Sequence, residues 1–488
     1  MPTLLPQVLE LLSTALREGT PLHDVESHLG DLGLQLGRRS RAALFEACGS
    51  GDLGETLTWP DGREVHRLEH LHPRRYVSIF GAFQLERTAY GSREGQALPF
   101  VPLDNRLQLP EGVFSYVLQD WDQALAMEQP FGQVNRTIER MRKLKQSVDR
   151  LEGVHRQRAQ DVGWLRDLQG SPPAAEEGQI VVVTADCKGI VIRGQGTPTV
   201  CGGERPAGPR ANQKRRATVG AVYTVDPYVR TPEEVVAALF RDPDYEPGPR
   251  PEPCHKRVWA SLPKEGPAPK GSIEVVFDWR WWAFAQRHPR LRRPTVCLCD
   301  GPEALGQAGA DSVMDADRVE VLDLLHVTPR LWQAAKLLYG EKGKAVLPFV
   351  RQRVTQVLEG KVEAVIRALR RLAAGRGLKG VKKKALRRIC RYLSKKRRRM
   401  RYDEYLRRGY PIASGVIEGA CRHLSKDRME RAGMHWTREG AQAMRERRSV
   451  WIGGYWEAFQ QQRIEQETER LYPHRDLVAG EVFFALAS

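Results

Sequence analysis

Two aspartates stand where a strand could carry them to a shared site. Asp186 follows the apolar, β-branched run from Ile180 to Val183 in ADCKG, and Asp300 follows TVCLC in CDG. Continuous runs of this kind are how strands buried on both faces read, so the pattern predicts each aspartate at the exit of such a strand. Ligands in open α/β sheets bind at the carboxyl ends of strands, and two neighbouring strands would bring both carboxylates to one point. Paired carboxylates repel unless a cation joins them, and hard oxygen ligands suit Mg²⁺ or Mn²⁺. The competing reading is that each aspartate opens a turn or caps a helix. A third carboxylate, Glu418, lies in YPIASGVIEGACRHLSKDRME. Ser414 reads as an N-cap there, and the helix it opens sets Glu418, Arg422 and Ser425 on one side with Val416, Ala420 and Leu424 toward a core. An intrahelical Glu418–Arg422 pair is the alternative. Asp226, Asp278, Asp323, Asp427 and Glu430 compete for the same role, Asp323 above all because it too reads as part of a strand.

Cations lie close to these acids. Lys188, Arg422, Lys426 and Arg428 are spaced to meet phosphates, with surface ion pairing as the other explanation. Trp436 can stack on an unpaired base or pack in a core, and packing also suits Trp279, Trp281 and Trp282. His326 reads as a packed or capping histidine, with leaving-group positioning as the sharper alternative. Cys297 and Cys299 lack the second pair that a zinc site needs. GEKGKAV lacks the gap and the hydroxyl of a P-loop. No His-x-x-Arg precedes Tyr402 or Tyr405 at the distance a tyrosine recombinase requires.

Charge supports a polyanionic partner. The chain has 488 residues with 77 Lys or Arg against 60 Asp or Glu, a net +17. Fourteen of the cations and no acid fall in residues 376–401, leaving only +3 for the remainder. Leu386, Ile389, Leu393 and Met400 form one stripe of that stretch, and the other faces carry Lys382 to Lys384, Arg387, Arg388, Arg391, Lys395, Lys396, Arg397, Arg398 and Arg399. Uncompensated like charges repel, and a phosphate backbone relieves the repulsion while releasing counterions. No run reaches the ~18 to 20 apolar residues of a membrane span, and eight scattered cysteines do not make a disulfide framework. The expectation is a cytoplasmic protein with no membrane partner.

The elements that must position these groups fall into five stretches. Residues 1–100 read as short helices, with apolar spacing in Val8, Leu11, Leu12 and Leu16, followed by a hairpin in RRYVSIFGAFQLERTAYG. Residues 101–172 read as helices broken at Pro130, which suits a helix-turn-helix module as well as a plain bundle. After a Pro/Gly/acid linker at 169–178, residues 173–338 alternate strands and helices, indicating a mixed α/β sheet. The strands are the run before Asp186, GIVIRG, ATVGAVYTVD, TVCLC and VEVLDLLH. Helices are predicted at TPEEVVAALF, capped by Thr231 with Pro232 behind it, around FDWRWWAFAQRH, and from Pro329; residues 242–273 read as irregular. Residues 339–410 are helical and basic, and 411–488 hold the Glu418 helix and the C-terminal region.

Taken in order, ADCKG, KRRATVGAVYTVDPYVRTPEEVV, CLCDG, VLDLLHV and YPIASGVIEGACRHLSKDRMERAGMHW resemble bacterial insertion-sequence transposases of the DDE class, in particular the ISKra-like group. PLDNRLQLPEGVFSYVLQDWDQALAMEQPF resembles that group's N-terminal region. The resemblance implies an RNase H-like catalytic core and a metal-binding triad of Asp186, Asp300 and Glu418. It also implies a basic helical insertion between the second and third acids, and cutting and joining of double-stranded DNA at transposon ends and target. The Cys-x-x-Cys pair that some relatives carry near the N-terminus is absent. Cutting two ends implies a homodimer or larger synaptic assembly on the bacterial nucleoid. The alternative is a non-catalytic, sequence-specific DNA-binding protein derived from such an element.

Overall fold

The computed structural model describes residues 4–59, 62, 64–91, 100–163, 170–193, 212–263, 270–287, 293–299, 318–430 and 434–478. Asp300, one of the three expected acids, lies outside them. The chain divides into two compact units, residues 1–161 with 456–488, and residues 162–455.

The first unit opens on α1 (Leu4–Glu18) and α2 (Leu22–Cys48), followed by a small sheet of β1 (Thr56–Thr58), β2 (Glu64–Arg67) and β5 (Tyr90–Gly91). Between the last two, β3 (His72–Ser78) and β4 (Gly81–Arg87) form the expected hairpin, closing at the pair Ser78↔Gly81. Gly81 sits there at φ +114°, a conformation open to glycine at little cost. Helices α3 (Pro102–Leu107), α4 (Tyr116–Glu128), α5 (Phe131–Arg142) and α6 (Val148–Ala159) follow, with Pro130 at the start of α5 as the sequence predicts. The C-terminal helix Trp456–Leu471 belongs to this unit. Its Glu467 is buried, accepts the Glu111 amide at 2.9 Å and meets Arg158 at 2.7 Å and Arg463 at 3.1 Å. Chain ends far apart in sequence are therefore tied into one body, a grouping that the five sequence stretches do not contain.

The second unit is built on one five-stranded sheet. Its strands are β6 (Ile180–Arg193), β7 (Asn212–Val225), β8 (Cys254–Ser261), β9 (Thr295–Cys299) and β10 (Val319–Leu322), in the order β10-β9-β6-β7-β8. Strand β7 runs antiparallel to both β6 and β8, whereas β9 pairs parallel to β6 and β10 parallel to β9. The helices are α7 (Pro232–Phe240), α8 (Ser272–Arg287), α9 (Leu324–Tyr339), α10 (Val346–Leu358), α11 (Val362–Gly375), α12 (Gly380–Lys396), α13 (Tyr402–Arg407), α14 (Gly415–Cys421) and α15 (Arg438–Ile452). α14 runs on through a π-helical stretch, Arg422–Lys426.

Strand alternation decides which helices cover which face. Ile180, Val182, Tyr223, Val296, Leu298 and Val321 face a core closed by α9 to α13, and the same side of β7 and β8 takes Ile417, Ala420, Cys421 and Leu424 from α14 and the turn after it. The opposite face takes α8. A Cβ on Gly220 would lie 2.7 Å from Val276 and 3.5 Å from Trp279, so that face needs glycine for the helix to approach. The apolar stripe Leu386, Ile389 and Leu393 of the basic helix is buried, as its spacing predicts. Thr231 and Glu234 form a complete capping box on α7.

Four local expectations are corrected. β6 is one strand of 14 residues that runs through Asp186 instead of ending before it, because β7 stays paired along its whole length. β8 lies inside the stretch that reads as irregular; its flanking prolines mask the alternation of Val258 and Ala260. α9 begins at Leu324, not Pro329, because Asp323 is not in the strand but at the N-cap, accepting the Leu325 amide at 2.8 Å. The 169–178 linker is anchored, since Glu177 makes a buried two-point ion pair with Arg287 and its end is thus part of the sheet unit. Among the described residues, no helix is long and apolar enough to cross a membrane.

Candidate active site

Asp186 is buried on the face of β6 that α14 covers. One of its carboxylate oxygens accepts the Cys187 amide at 2.6 Å, and the other lies 3.4 Å from Cys421 Sγ and 3.5 Å from Lys188 Nζ. Burial opposes the charge of Lys188, but Asp186 first and Glu418 further out outweigh it and hold the ammonium above the ordinary lysine range. Burial and the Asp186 carboxylate both push the Cys421 thiol far up, so it stays a neutral donor. Cys421 is one helical turn beyond Glu418. Asp186, Lys188 and the helix that carries Glu418 therefore lie on one side of the sheet.

Glu418 is exposed at the surface of its helix. The intrahelical alternative is not realised: Arg422 lies 3.3 Å from Asp427, which His423 also meets at 2.9 Å. What fixes α14 is the end of the neighbouring strand. Asp323, fully buried, caps α9 with one oxygen and with the other accepts both the amide (3.1 Å) and the hydroxyl of Ser414. Ser414 does occupy the N-cap position, yet its hydroxyl is spent on Asp323 and not on its own helix. The backbone adds Leu324 N–H to Ile412 C=O at 2.9 Å.

One consequence is a second grouping around Glu418. One ligand atom each from Asp323, His326 and Glu418 lies within 4.8 Å of the others. Three side chains are thus close enough to hold a divalent cation, although Asp323 has already committed both oxygens to protein donors. Sequence reasoning weighed Asp323 and His326 but did not join them to Glu418; their three-residue spacing at a strand-to-helix junction was the available signal. Cys421, which touches Asp186, was missed because its packing depends on a sheet face that no local pattern specifies.

The phosphate-binding candidates divide. Arg422 and Lys426 are exposed, whereas Arg428 is buried, its guanidinium 5.1 Å from the Trp436 ring centre. Trp436 is buried too, donates from its indole to Met429 C=O at 3.3 Å and bridges Ile192 at the far end of β6. These two residues pack against each other. Lys395, Arg397 and Arg398 are exposed and Lys396 is half-buried at the end of α12. Arg399 turns inward to Glu320 of β10 at 2.5 Å, and Arg397 lies 3.8 Å from Glu363. Tyr402 and Tyr405 donate to the carbonyls of Leu322 and Glu320, and burial raises both hydroxyls, so neither is poised as a nucleophile.

No protein-family model matches the chain, and no curated protein matches it. Among solved structures it aligns with a chain of the Drosophila P element transposase strand transfer complex at 10% identity and a TM-score of 0.25, over 76% of this chain and 88% of that one.

Proposed function

We propose that the chain is a DNA transposase of the DDE class, of the ISKra-like insertion-sequence group, whose sheet unit is an RNase H-like core. The observation that carries this reading is the placement of acids on one sheet face. Asp186 stands on the central strand, and the Glu418 helix packs over the same face. The parallel pairing of β6 with β9 reaches Ala185↔Cys299, one residue short of Asp186 and of Asp300 in the sequence. Asp300 also continues, in the sequence, the alternation of Val296 and Leu298, which face that side.

The donor set suits a hard cation: carboxylate oxygens dominate, and Lys188 already balances Asp186 by one positive charge. Asp186, Asp300 and Glu418 would hold Mg²⁺ or Mn²⁺, which supplies an activated water or 3′-hydroxyl and neutralises charge on the phosphodiester. Asp186 is oriented by the Cys187 amide, and Glu418 is presented from a helix tied to the end of β10 through Asp323. Lys188 is placed to meet a non-bridging phosphate oxygen, as are Arg422 and Lys426. The basic face of α12 would carry duplex DNA, and action on two ends calls for at least two copies.

The test is cleavage and strand joining of candidate end DNA in Mg²⁺ by Asp186→Asn, Asp300→Asn and Glu418→Gln. Each should lose activity by at least about a thousandfold while folding and DNA binding stay near the parent's, because the changes conserve shape and remove only an anionic ligand. Near-parental cleavage by any one of them removes that residue from the triad.

A further inference from the structure

Between the loop that leaves β7 and the loop that leads into α14 lies a cavity of about 110 Å³. Backbone contacts fix its walls: Tyr228 N–H donates to Gly409 C=O at 2.9 Å, and Arg230 N–H to Leu406 C=O at 3.4 Å. Gly409 has φ +69°, and a Cβ there would lie 2.6 Å from the Tyr228 nitrogen, so the loops come this close only through glycine. Tyr223, 3% exposed, lines the cavity from the sheet. Val416, two residues before Glu418, lines it from α14. Two guanidinium groups complete the lining, Arg230, which is half-buried, and Arg250, which is exposed. Arg230 stacks 4.9 Å from the Tyr228 ring centre, and its buried Nε has no hydrogen-bond partner. Burial first and the charge of Arg250 second pull this guanidinium below its ordinary range, against Tyr228, Tyr245 and Glu234. The nearby acids are engaged elsewhere: Asp226 accepts the Gln179 amide at 3.1 Å, and Glu234 the Thr231 amide at 2.7 Å. Two like charges thus share a cavity with no carboxylate between them, a cost that a bound anion would offset.

Size and charge select the anion. Cavities that take drug-sized ligands run to roughly 300–1,000 Å³, so this one admits an oxyanion and not a nucleoside. A carboxylate is matched by one guanidinium, whereas a phosphate monoester, at about −1.5 to −2, is matched by two. A diester carries a sugar on both sides and has to lie across the mouth; a monoester can enter. We infer that the Arg230–Arg250 cavity binds a phosphate monoester, supplied by the 5′ end of a cut DNA strand. That source rests on the proposed function: water attack puts a new oxygen on phosphorus and breaks the bond to the 3′ oxygen. The 3′-hydroxyl is thereby freed, and the phosphate stays on the 5′ end.

The experiment uses the full chain in EDTA, titrated with inorganic phosphate at constant ionic strength. Phosphate should raise the melting temperature to a plateau, and Arg230→Gln and Arg250→Gln should each weaken its binding at least tenfold. Arg250 is exposed, so its variant carries the test should Arg230→Gln misfold. Asp186→Asn should bind phosphate like the parent. A single-stranded oligonucleotide with a 5′-phosphate should then displace phosphate at least tenfold better than the same strand with a 5′-hydroxyl. Phosphate binding without that preference would overturn the strand end as the source and leave free phosphate as the ligand. No saturable stabilisation by phosphate, or stabilisation that both arginine variants keep, would overturn the site itself. Neither readout involves cleavage, so failure of the catalytic reading would show separately, in the triad variants.

Discussion

Asp323 shows how much depends on one buried carboxylate whose two oxygens are both taken by protein donors. It ends β10, starts α9 and holds the first residue of the Glu418 helix, with three protein donors on its two oxygens. Asp323→Ala strands those donors in a buried site, so a loss of about 3 kcal/mol is expected in denaturant unfolding, and cleavage should fall with it. Ser414→Ala, which removes one donor and leaves the others paired, should cost about 1 kcal/mol. If Asp323→Ala unfolds like the parent and only cleavage is lost, Asp323 is a ligand and not a strut. A second residue-scale prediction concerns Asp122 in α4, which is buried and accepts one bond from Gln146 at 2.9 Å. Burial raises its pKa to about 7, and the Gln146 bond only partly offsets this. The folded state therefore holds a proton that the unfolded chain releases near pH 4, and stability falls as pH rises from there toward 7. Asp122→Asn should remove that fall and gain about 2 kcal/mol at pH 8. Melting curves across pH 4 to 8 that are parallel for parent and variant would refute it.

At the scale of elements, the basic helix makes the clearest demand. Neutralising Lys395, Lys396, Arg397, Arg398 and Arg399 together should weaken binding to every DNA sequence and flatten its salt dependence, by about 0.9 in log-log slope for each phosphate no longer neutralised. Because Arg399 and Arg397 have acidic neighbours in Glu320 and Glu363, the reduction should fall short of five such steps. An unchanged slope would place DNA elsewhere. The apolar stripe of this helix was readable, as were the hairpin at Gly81 and the cap at Thr231, since each is set by residues within a few positions of one another. What could not be read was settled by partners distant in sequence. β6 persists past Asp186 because β7 pairs with it, α9 starts early because Asp323 finds an amide to cap, and Ser414 gives up its own cap to an aspartate 91 positions away. Candidate-site residues followed the same rule: packing of Trp436 in a core was open to local reading, whereas Cys421 beside Asp186 and the burial of Arg428 were not.

The chain divides into two compact units, and on the proposed function this bears on where transposon ends would be read. A metal site that must cut both ends and arbitrary targets cannot itself be strongly selective, while α4 to α6 offer helices that can enter a major groove. Recognition is therefore expected in the first unit. A fragment of residues 1–172 would be a poor test, because it omits the C-terminal helix whose Glu467 neutralises buried Arg158 and caps the Glu111 amide; removing one partner of a buried pair leaves an uncompensated charge. The informative protein joins residues 1–161 to 456–488 through a flexible linker, and it should prefer end DNA over random duplex by roughly 10³ in competition binding without metal. The shorter fragment should show weaker preference and a lower melting temperature. Equal affinity of the joined protein for both duplexes, with discrimination kept by residues 162–455, would instead assign end reading to the sheet unit and its basic helices, leaving α4 to α6 a purely structural bundle.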